Sequence, residues 1–578
     1  MTIFLLCIAA IKSLFDFLST LLIQISTAMF GDTLTYFALG RALLKGFTLY
    51  KDIYDTKPPG IFLLAAASLA FTRNELLANI AQAFAFLFVA LCVTALAWNE
   101  AQSASKTIRR SILLLGFFLG IVLAQYTALR SGGNVQTEPI GAAACLAYAL
   151  LLARDAEHFR LRHVLLATLC MTLAVGLKEP FILILCAEAL LFCPSIRSFF
   201  RAFLLPSFLT AIVGILALQA LGALHAYCTL SLPELLFGKY TFAHISPWIG
   251  AFNFLPIVFD FWKFSPALLC LVAMIVLTPL LLATPKHRWG TTMATLSLFL
   301  LPAVPFCALI LWAGMMGLRF TLRSVLLLPL LQGSWASALL WCVVFLTGLL
   351  LFCNVLLLRH SSMHWKKILL RILRFSVVIL LTFGVVGLRG KYYPHYFIFA
   401  VPLLAAFFAL FLRTTIQLAP KHVRLLLGIS TFLSVLILIT LPFRNPFPLH
   451  LDLPGQRQNN LETAARFDAL LDACKQDRYL AYSYETEQLW AFTDHTPYGS
   501  SFSHMTWTAD RTSPSFQALY AQRLSETSII VLDPIRLPEL KSENNGALWN
   551  DFGLDPPPCA QPFLPVGEYL VLFRKRKS

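Results

Sequence analysis

The chain reads as an all-α polytopic membrane bundle of about 13 transmembrane helices, followed by a small C-terminal α/β external domain. Three observations predict this class. Of 578 residues, 58% are hydrophobic and only 13% are charged, against about 45–50% and about 25% in ordinary globular chains. Apolar runs of about 20 residues recur along the chain, each able to cross a hydrocarbon core of about 30 Å; a β-barrel would instead show alternating segments of about ten residues. Finally, the composition breaks at residue 443, beyond which 13 basic residues meet 16 acidic ones.

Taken in order, the apolar segments fall near 3–28, 76–98, 111–130, 138–153, 163–177, 180–193, 202–224, 265–283, 291–313, 335–358, 375–389, 395–412 and 423–443. Basic residues cluster between them, as at Arg109 and Arg110, Arg160 and Arg162, Arg197 and Arg201, Lys286 and Arg288, Lys366 and Lys367, and Lys421 and Arg424. The positive-inside rule makes such clusters cytoplasmic. An N-terminus inside and an odd number of crossings put all of them inside and the tail outside. The chain is thus expected in the cell inner (plasma) membrane, with residues 444–578 as an extracytoplasmic, periplasmic domain. The net charge of +16 is absorbed by these loops, so nucleic-acid binding is excluded as its reason.

The first segment is long for a signal peptide and is interrupted by Lys12 and Asp16, which at i, i+4 spacing read as a neutralising pair facing the bundle. Eleven of the 13 cysteines lie in or beside apolar segments, where Cys behaves as a small hydrophobe. Cys474 and Cys559 fall in the tail, where an oxidising compartment permits a disulfide that spacing alone does not assign. The tail reads as a helix over 461–475. Strands are expected in RYLAYSY, SIIVL and EYLVLF.

Chemistry concentrates in the first external loop, residues 29–75, and above all in GDTLTYFALGRALLKGFTLYKDIYDTKPPG, residues 31–60. Arg41, Lys45, Lys51 and Lys57 stand here on the side where basic residues should be scarce, and they suit an anionic ligand such as a phosphate. Lys57 abuts the rigid turn Pro58-Pro59-Gly60. Asp32 reads either as an N-cap or as a catalytic base, with residues 33–45 as a helix along the membrane surface. Asp52 and Asp55 read as turn residues supporting the loop. Further on, Glu138 precedes Pro139 at the outer end of a segment. Lys178 and Glu179 either neutralise one another at a Pro-broken hairpin or join the site. Tyr392, Tyr393, His395 and Tyr396 form an interfacial aromatic cluster in which His395 could bond a phosphate or a sugar. Aromatic residues of the loop 225–264 suit sugars or the interface, and 314–334 reads as a re-entrant or surface helix.

Asp32, Tyr36, Gly46, Tyr50, Asp52 and Asp55-Thr56-Lys57-Pro58-Pro59-Gly60 together resemble the first external loop of GT-C-fold glycosyltransferases. The nearer relatives are bacterial members of the group of protein mannosyltransferases and lipid A aminoarabinose transferases. Gln136-Thr137-Glu138-Pro139, Lys178-Glu179-Pro180 and Tyr393-Pro394-His395-Tyr396-Phe397 are similar to recurrent features of that group, and the resemblance spans roughly residues 1–443. It implies an inverting transferase that moves a sugar from a polyprenyl-phosphate carrier to a glycan, lipid or protein acceptor in the cell envelope. Under it, Asp32 is the general base and Glu138 a second acidic residue of the catalytic site. Lys57, Arg41, Lys178, Tyr393 and His395 would hold the donor phosphate, with Asp52, Asp55 and Glu179 in support. A carboxylate with the ordinary Asp pKa of about 3.9 is ionised at neutral pH and can accept a proton.

No metal site is read from the residues and no cofactor is implied, with a divalent cation left open. Two rival classes remain at this level: a multi-pass transporter or flippase of a lipid-linked glycan, and a non-catalytic scaffold for envelope assembly. Transporters concentrate polar determinants mid-membrane, whereas here eight of the 13 carboxylates before residue 444 lie near the outer face.

Overall fold

The computed structural model describes residues 2–232 apart from 28, 30, 54, 56, 157 and 158, then 264–282, 393–440 apart from 419, and 453–575 apart from 483–485, 498–513, 543–546 and 562–565, with a few isolated positions between. The predicted segments 291–313 and 335–358, the helix 314–334, most of 375–389 and most of the loop 225–264 lie outside the described residues. So does Tyr392.

Helices occupy the remaining predicted segments. In chain order the elements are α1 (Thr2–Ser26), α2 (Asp32–Leu44), α3 (Gly60–Thr72), α4 (Leu76–Ala101), α5 (Lys106–Ser131), α6 (Thr137–Asp155), α7 (Leu161–Leu177) and α8 (Phe181–Phe192). They continue with α9 (Ile196–Ala220), α10 (Pro266–Leu282), α11 (Ala400–Ile416, entered through a 3₁₀ turn at Pro394–Phe399) and α12 (Pro420–Thr440). Six helices among the described residues are long and apolar enough to cross a membrane: those of α1, α4, α5, α9, α12 and the continuous stretch Pro394–Ile416. At 12 residues, α8 is about 18 Å long and falls short of a full crossing.

The bundle packs as its residue pattern requires. Ile11, Leu14, Phe15, Leu18 and Leu22 leave one apolar stripe of α1 exposed, the face a membrane helix turns to lipid. Lys12 donates to Asp16 at 2.7 Å and to the Leu438 carbonyl at 2.9 Å, so the pair faces α12 as expected. On the basic side, Arg413 grips Glu100 through two bonds of 2.7 and 3.1 Å, closing α11 onto the end of α4.

Two local features go beyond what the sequence pattern shows. Helix α3 falls within the stretch expected as the first external loop; its 13 residues fall below the span length of about 20 that hydropathy detects. Helix α2 has no free polar face. Residues Thr33 to Gly40 and Ala42 are all buried, because α3 covers one side and the tail covers another.

The tail contains α13 (Leu453–Ala473), α14 (Glu487–Phe492) and α15 (Pro514–Glu526) with strands β1 (Arg478–Ala481), β2 (Thr496–Pro497), β3 (Ile529–Leu532), β4 (Phe552–Gly553) and β5 (Leu570–Arg574). They form one sheet in the order β2-β1-β3-β5-β4. β1 runs parallel to β2 and β3, and β5 antiparallel to β3 and β4. Period-2 alternation sorts the strand residues onto two faces. Leu480, Ile530 and Leu572 pack with Leu540 and Phe552. Tyr479, Ala481, Val531 and Phe573 face the other way, joining Phe467 of α13 and Trp490 of α14 in one apolar cluster with Leu34, Phe37 and Leu39 of α2. The core under the sheet therefore continues into the first loop. Cys474 and Cys559, whose pairing the spacing leaves open, form a disulfide with Cα atoms 5.1 Å apart.

Candidate active site

The site is built on the start of α2. Gly31, at φ +52°, takes the N-cap position, a conformation that suits glycine. A Cβ there would also come within 2.7 Å of the Asn134 side chain. Asp32 is therefore the first helical residue and not the cap. Its Oδ2 accepts from the Tyr36 hydroxyl, one turn on, and from the Gln136 amide, each at 3.4 Å. Burial pushes the Tyr36 hydroxyl well above its ordinary value, with Lys57 opposing, so Tyr36 stays protonated and donates.

A ladder of side-chain amides stands behind Gln136. Its backbone N–H donates to Gln82 Oε1 at 2.7 Å, and Gln82 Nε2 donates to the Asn134 carbonyl at 2.6 Å and to Gln24 Oε1 at 3.1 Å. The backbone N–H of Val135 donates to Thr33 Oγ1 at 2.9 Å. Segment 134–136 is thus stitched to α1, α4 and α2, which fixes the Gln136 amide against Asp32. Sequence reasoning assigned these amides no role. Their signal is that Gln24, Asn79 and Gln82 interrupt otherwise apolar helices, where polar groups cost free energy unless they bond.

Lys57 is pinned at both ends of its backbone. Its N–H donates to Asp55 Oδ1 at 2.9 Å, and its carbonyl accepts from the Tyr50 hydroxyl at 2.7 Å. Tyr50 adopts φ +67°, a left-handed conformation uncommon for a bulky residue, and its buried ring packs on Tyr227 at 5.1 Å. The Lys57 ammonium lies 5.0 Å from the centre of the Tyr36 ring. Asp52 accepts from the Thr48 N–H at 2.8 Å, closing the preceding turn. Asp52 and Asp55 hold the loop together.

A second charged group lies beside the first. Lys178, at the α7–α8 junction, is ion-paired with the fully buried Glu138 at the start of α6. Thr137 Oγ1 donates to the other Glu138 oxygen at 3.0 Å, and His395 Nε2 stands 3.8 Å from the oxygen that Lys178 holds. The Lys178 ammonium sits 4.1 Å from the Tyr396 ring centre, while His395 stacks on Tyr393 at 5.6 Å. Lys178 does not neutralise Glu179, its sequence neighbour; Glu179 accepts from the Tyr227 hydroxyl at 3.4 Å. Asp32, Lys57, Glu138, Lys178 and His395 are close enough to act on one another electrostatically.

Arg41 is placed elsewhere. It lies about two and a half turns along α2, and its NH1 donates to the carbonyls of Phe492 and Thr493 at 2.9 and 2.6 Å, with Asp494 at 3.7 Å. Its guanidinium is engaged in holding the tail. Among the described residues no group of three or more His, Cys, Asp and Glu side chains is placed to hold a metal ion.

Chemically, the arrangement offers a fixed carboxylate, two cations backed by aromatic rings, and a histidine at one end of the helices. No family model matches the chain, and no curated protein matches it. Among solved structures the chain is similar to ArnT from Cupriavidus metallidurans bound to undecaprenyl phosphate, at 14% identity and TM-score 0.35, over 99% of this chain and 97% of that one. It is also similar to the archaeal oligosaccharyltransferase AglB from Archaeoglobus fulgidus in complex with an inhibitory peptide and a dolichol-phosphate, at 12% identity and TM-score 0.39, over 91% of this chain and 70% of that one. At these TM-scores neither likeness fixes a fold or an activity.

Proposed function

We propose that the chain is an inverting glycosyltransferase that moves a sugar from a polyprenyl-phosphate carrier to an acceptor hydroxyl at the outer face of the inner membrane. The observation that carries this reading is one arrangement: the Asp32 carboxylate, oriented by Tyr36 and Gln136, within electrostatic reach of Lys57 and Lys178. Asp32 accepts the proton of the attacking hydroxyl. Lys57 meets the charge that develops on the departing lipid phosphate, a role in which a fixed cation lowers the barrier. Glu138 keeps Lys178 in place for the same phosphate, and His395 and Tyr393 flank it. Attack from the face opposite the leaving phosphate inverts the anomeric centre in one displacement, so one base suffices. In this reading about 13 helices cross the membrane, the basic loops face the cytoplasm, and residues 444–578 form an outer domain.

The test is transfer from a labelled polyprenyl-phosphate sugar by purified protein in lipid. Loss of transfer in a folded Asp32→Asn variant supports the reading. Full transfer by that variant sinks it, and movement of the lipid-linked sugar across the bilayer without transfer points to a flippase instead.

A further inference from the structure

A cavity of about 250 Å³ opens in the tail, lined by Asn459, Asn460 and Thr463 of α13, Leu489 of α14, and Gly567, Glu568 and Tyr569 of the turn before β5. Drug-sized pockets run from about 300 to 1,000 Å³ and are mostly apolar; this one is smaller and predominantly polar. Its wall combines amide donors and acceptors, a hydroxyl, a carboxylate and one aromatic ring. Among the described residues no cation lines it, and the Glu568 carboxylate repels phosphate or sulfate. A neutral ligand dense in hydroxyl groups matches that chemistry: every hydroxyl both donates and accepts, and Tyr569 adds an aromatic ring to the wall.

Local sequence choices favour the cavity over stability. Two adjacent asparagines within α13 are poor helix formers. Among the described residues the side chains of Asn459, Asn460 and Thr463 form no hydrogen bond, so their polar groups are available. Opposite them Gly567 sits at φ +57°, and a Cβ there would come within 3.1 Å of Thr463 Oγ1. Any other residue would strain the turn and crowd the one buried hydroxyl of the wall.

The cavity is tied to the proposed active site through α2. Leu489 lies one turn before Phe492 and Thr493, whose carbonyls hold Arg41. Arg41 is nine residues from Asp32, about 14 Å along the helix. Two turns before Thr463, Arg457 meets the buried Glu75 at 3.3 Å, where α4 begins.

We infer that this cavity is an acceptor subsite that binds one sugar residue of an oligosaccharide whose reacting hydroxyl lies farther along, at Asp32. The inference rests on the transferase reading and names its acceptor class: a neutral glycan of more than one residue, one residue held in the cavity while another reacts.

The experiment is saturation-transfer NMR of the full-length protein in detergent, without donor, against neutral chito-, malto- and manno-oligosaccharides of two to four residues, with glycerol 1-phosphate as an anionic probe. At least one oligosaccharide should bind. Binding should weaken at least tenfold in Thr463→Trp and in the milder Asn459→Ala/Asn460→Ala variant, and should persist in Asp32→Asn. No oligosaccharide binding, binding indifferent to both cavity variants, or preference for glycerol 1-phosphate overturns the subsite. Transfer without oligosaccharide binding removes the subsite and leaves the transferase standing. Binding without any transfer by the wild-type protein keeps a glycan site and removes its acceptor role.

Discussion

Gln136 and Asp32 lie 104 residues apart in the chain, and the Gln136 amide donates to the Asp32 carboxylate at 3.4 Å. That bond aims the carboxylate, and the Gln82 ladder aims the amide. On the proposed mechanism Asp32→Asn removes the base and lowers kcat by about 10²–10⁴-fold, the usual worth of general base catalysis. Gln136→Leu keeps the base and loses only its orientation, so a smaller fall, about tenfold, is expected. Both are read by initial rates with labelled donor. Equal losses in the two variants would mean that Gln136 does more than orient.

The Glu138–Lys178 pair makes a prediction about stability. Glu138 is fully buried, and removing one partner of a buried ion pair costs about 3–5 kcal/mol because the other charge is stranded. Lys178→Met should therefore lower the thermal midpoint of the detergent-solubilised protein markedly. Glu138→Leu/Lys178→Met should recover much of that loss while transfer stays low. A double variant as unstable as the single one would show that the pair is not the source of the loss.

How far the sequence carried the site can be seen in Lys178. It stands beside Glu179, yet its partner is Glu138, 40 residues away; helix register and the Pro180 turn decide which carboxylate it meets, and neither is visible in adjacent letters. The loop motif marked Asp32 and Lys57 because both lie within one local segment. Arg41 looked like another loop cation, since its partners come 451 and 452 residues later. The spans α4 and α5 and the strands β1, β3 and β5 were legible because apolar runs and alternation are local. The burial of α2 was not, because it depends on the fold of the tail.

Arg41 supplies the third prediction. Its NH1 satisfies two carbonyls of the α14 end, and leaving such acceptors unpaired costs about 1–3 kcal/mol. Arg41→Met should speed hydrogen exchange of residues 487–495 and expose the tail to limited proteolysis, while the KM for donor changes little. A large rise in donor KM with the tail undisturbed would return Arg41 to the phosphate.

The Cys474–Cys559 bond yields the last prediction, which also tests sidedness. The bond joins residues separated by 85 positions, and a loop of that length restricts the unfolded chain by about 4–5 kcal/mol in the chain-entropy treatment. Cys474→Ala/Cys559→Ala should accordingly lower the unfolding midpoint of the tail. Formation of the bond also requires an oxidising compartment. In cells, therefore, both thiols should resist a membrane-impermeant maleimide until a reductant is added, and then react with it. Free thiols that react only after the membrane is permeabilised would put the tail on the cytoplasmic side. That result would reverse the orientation on which the outer-face placement of Asp32 depends.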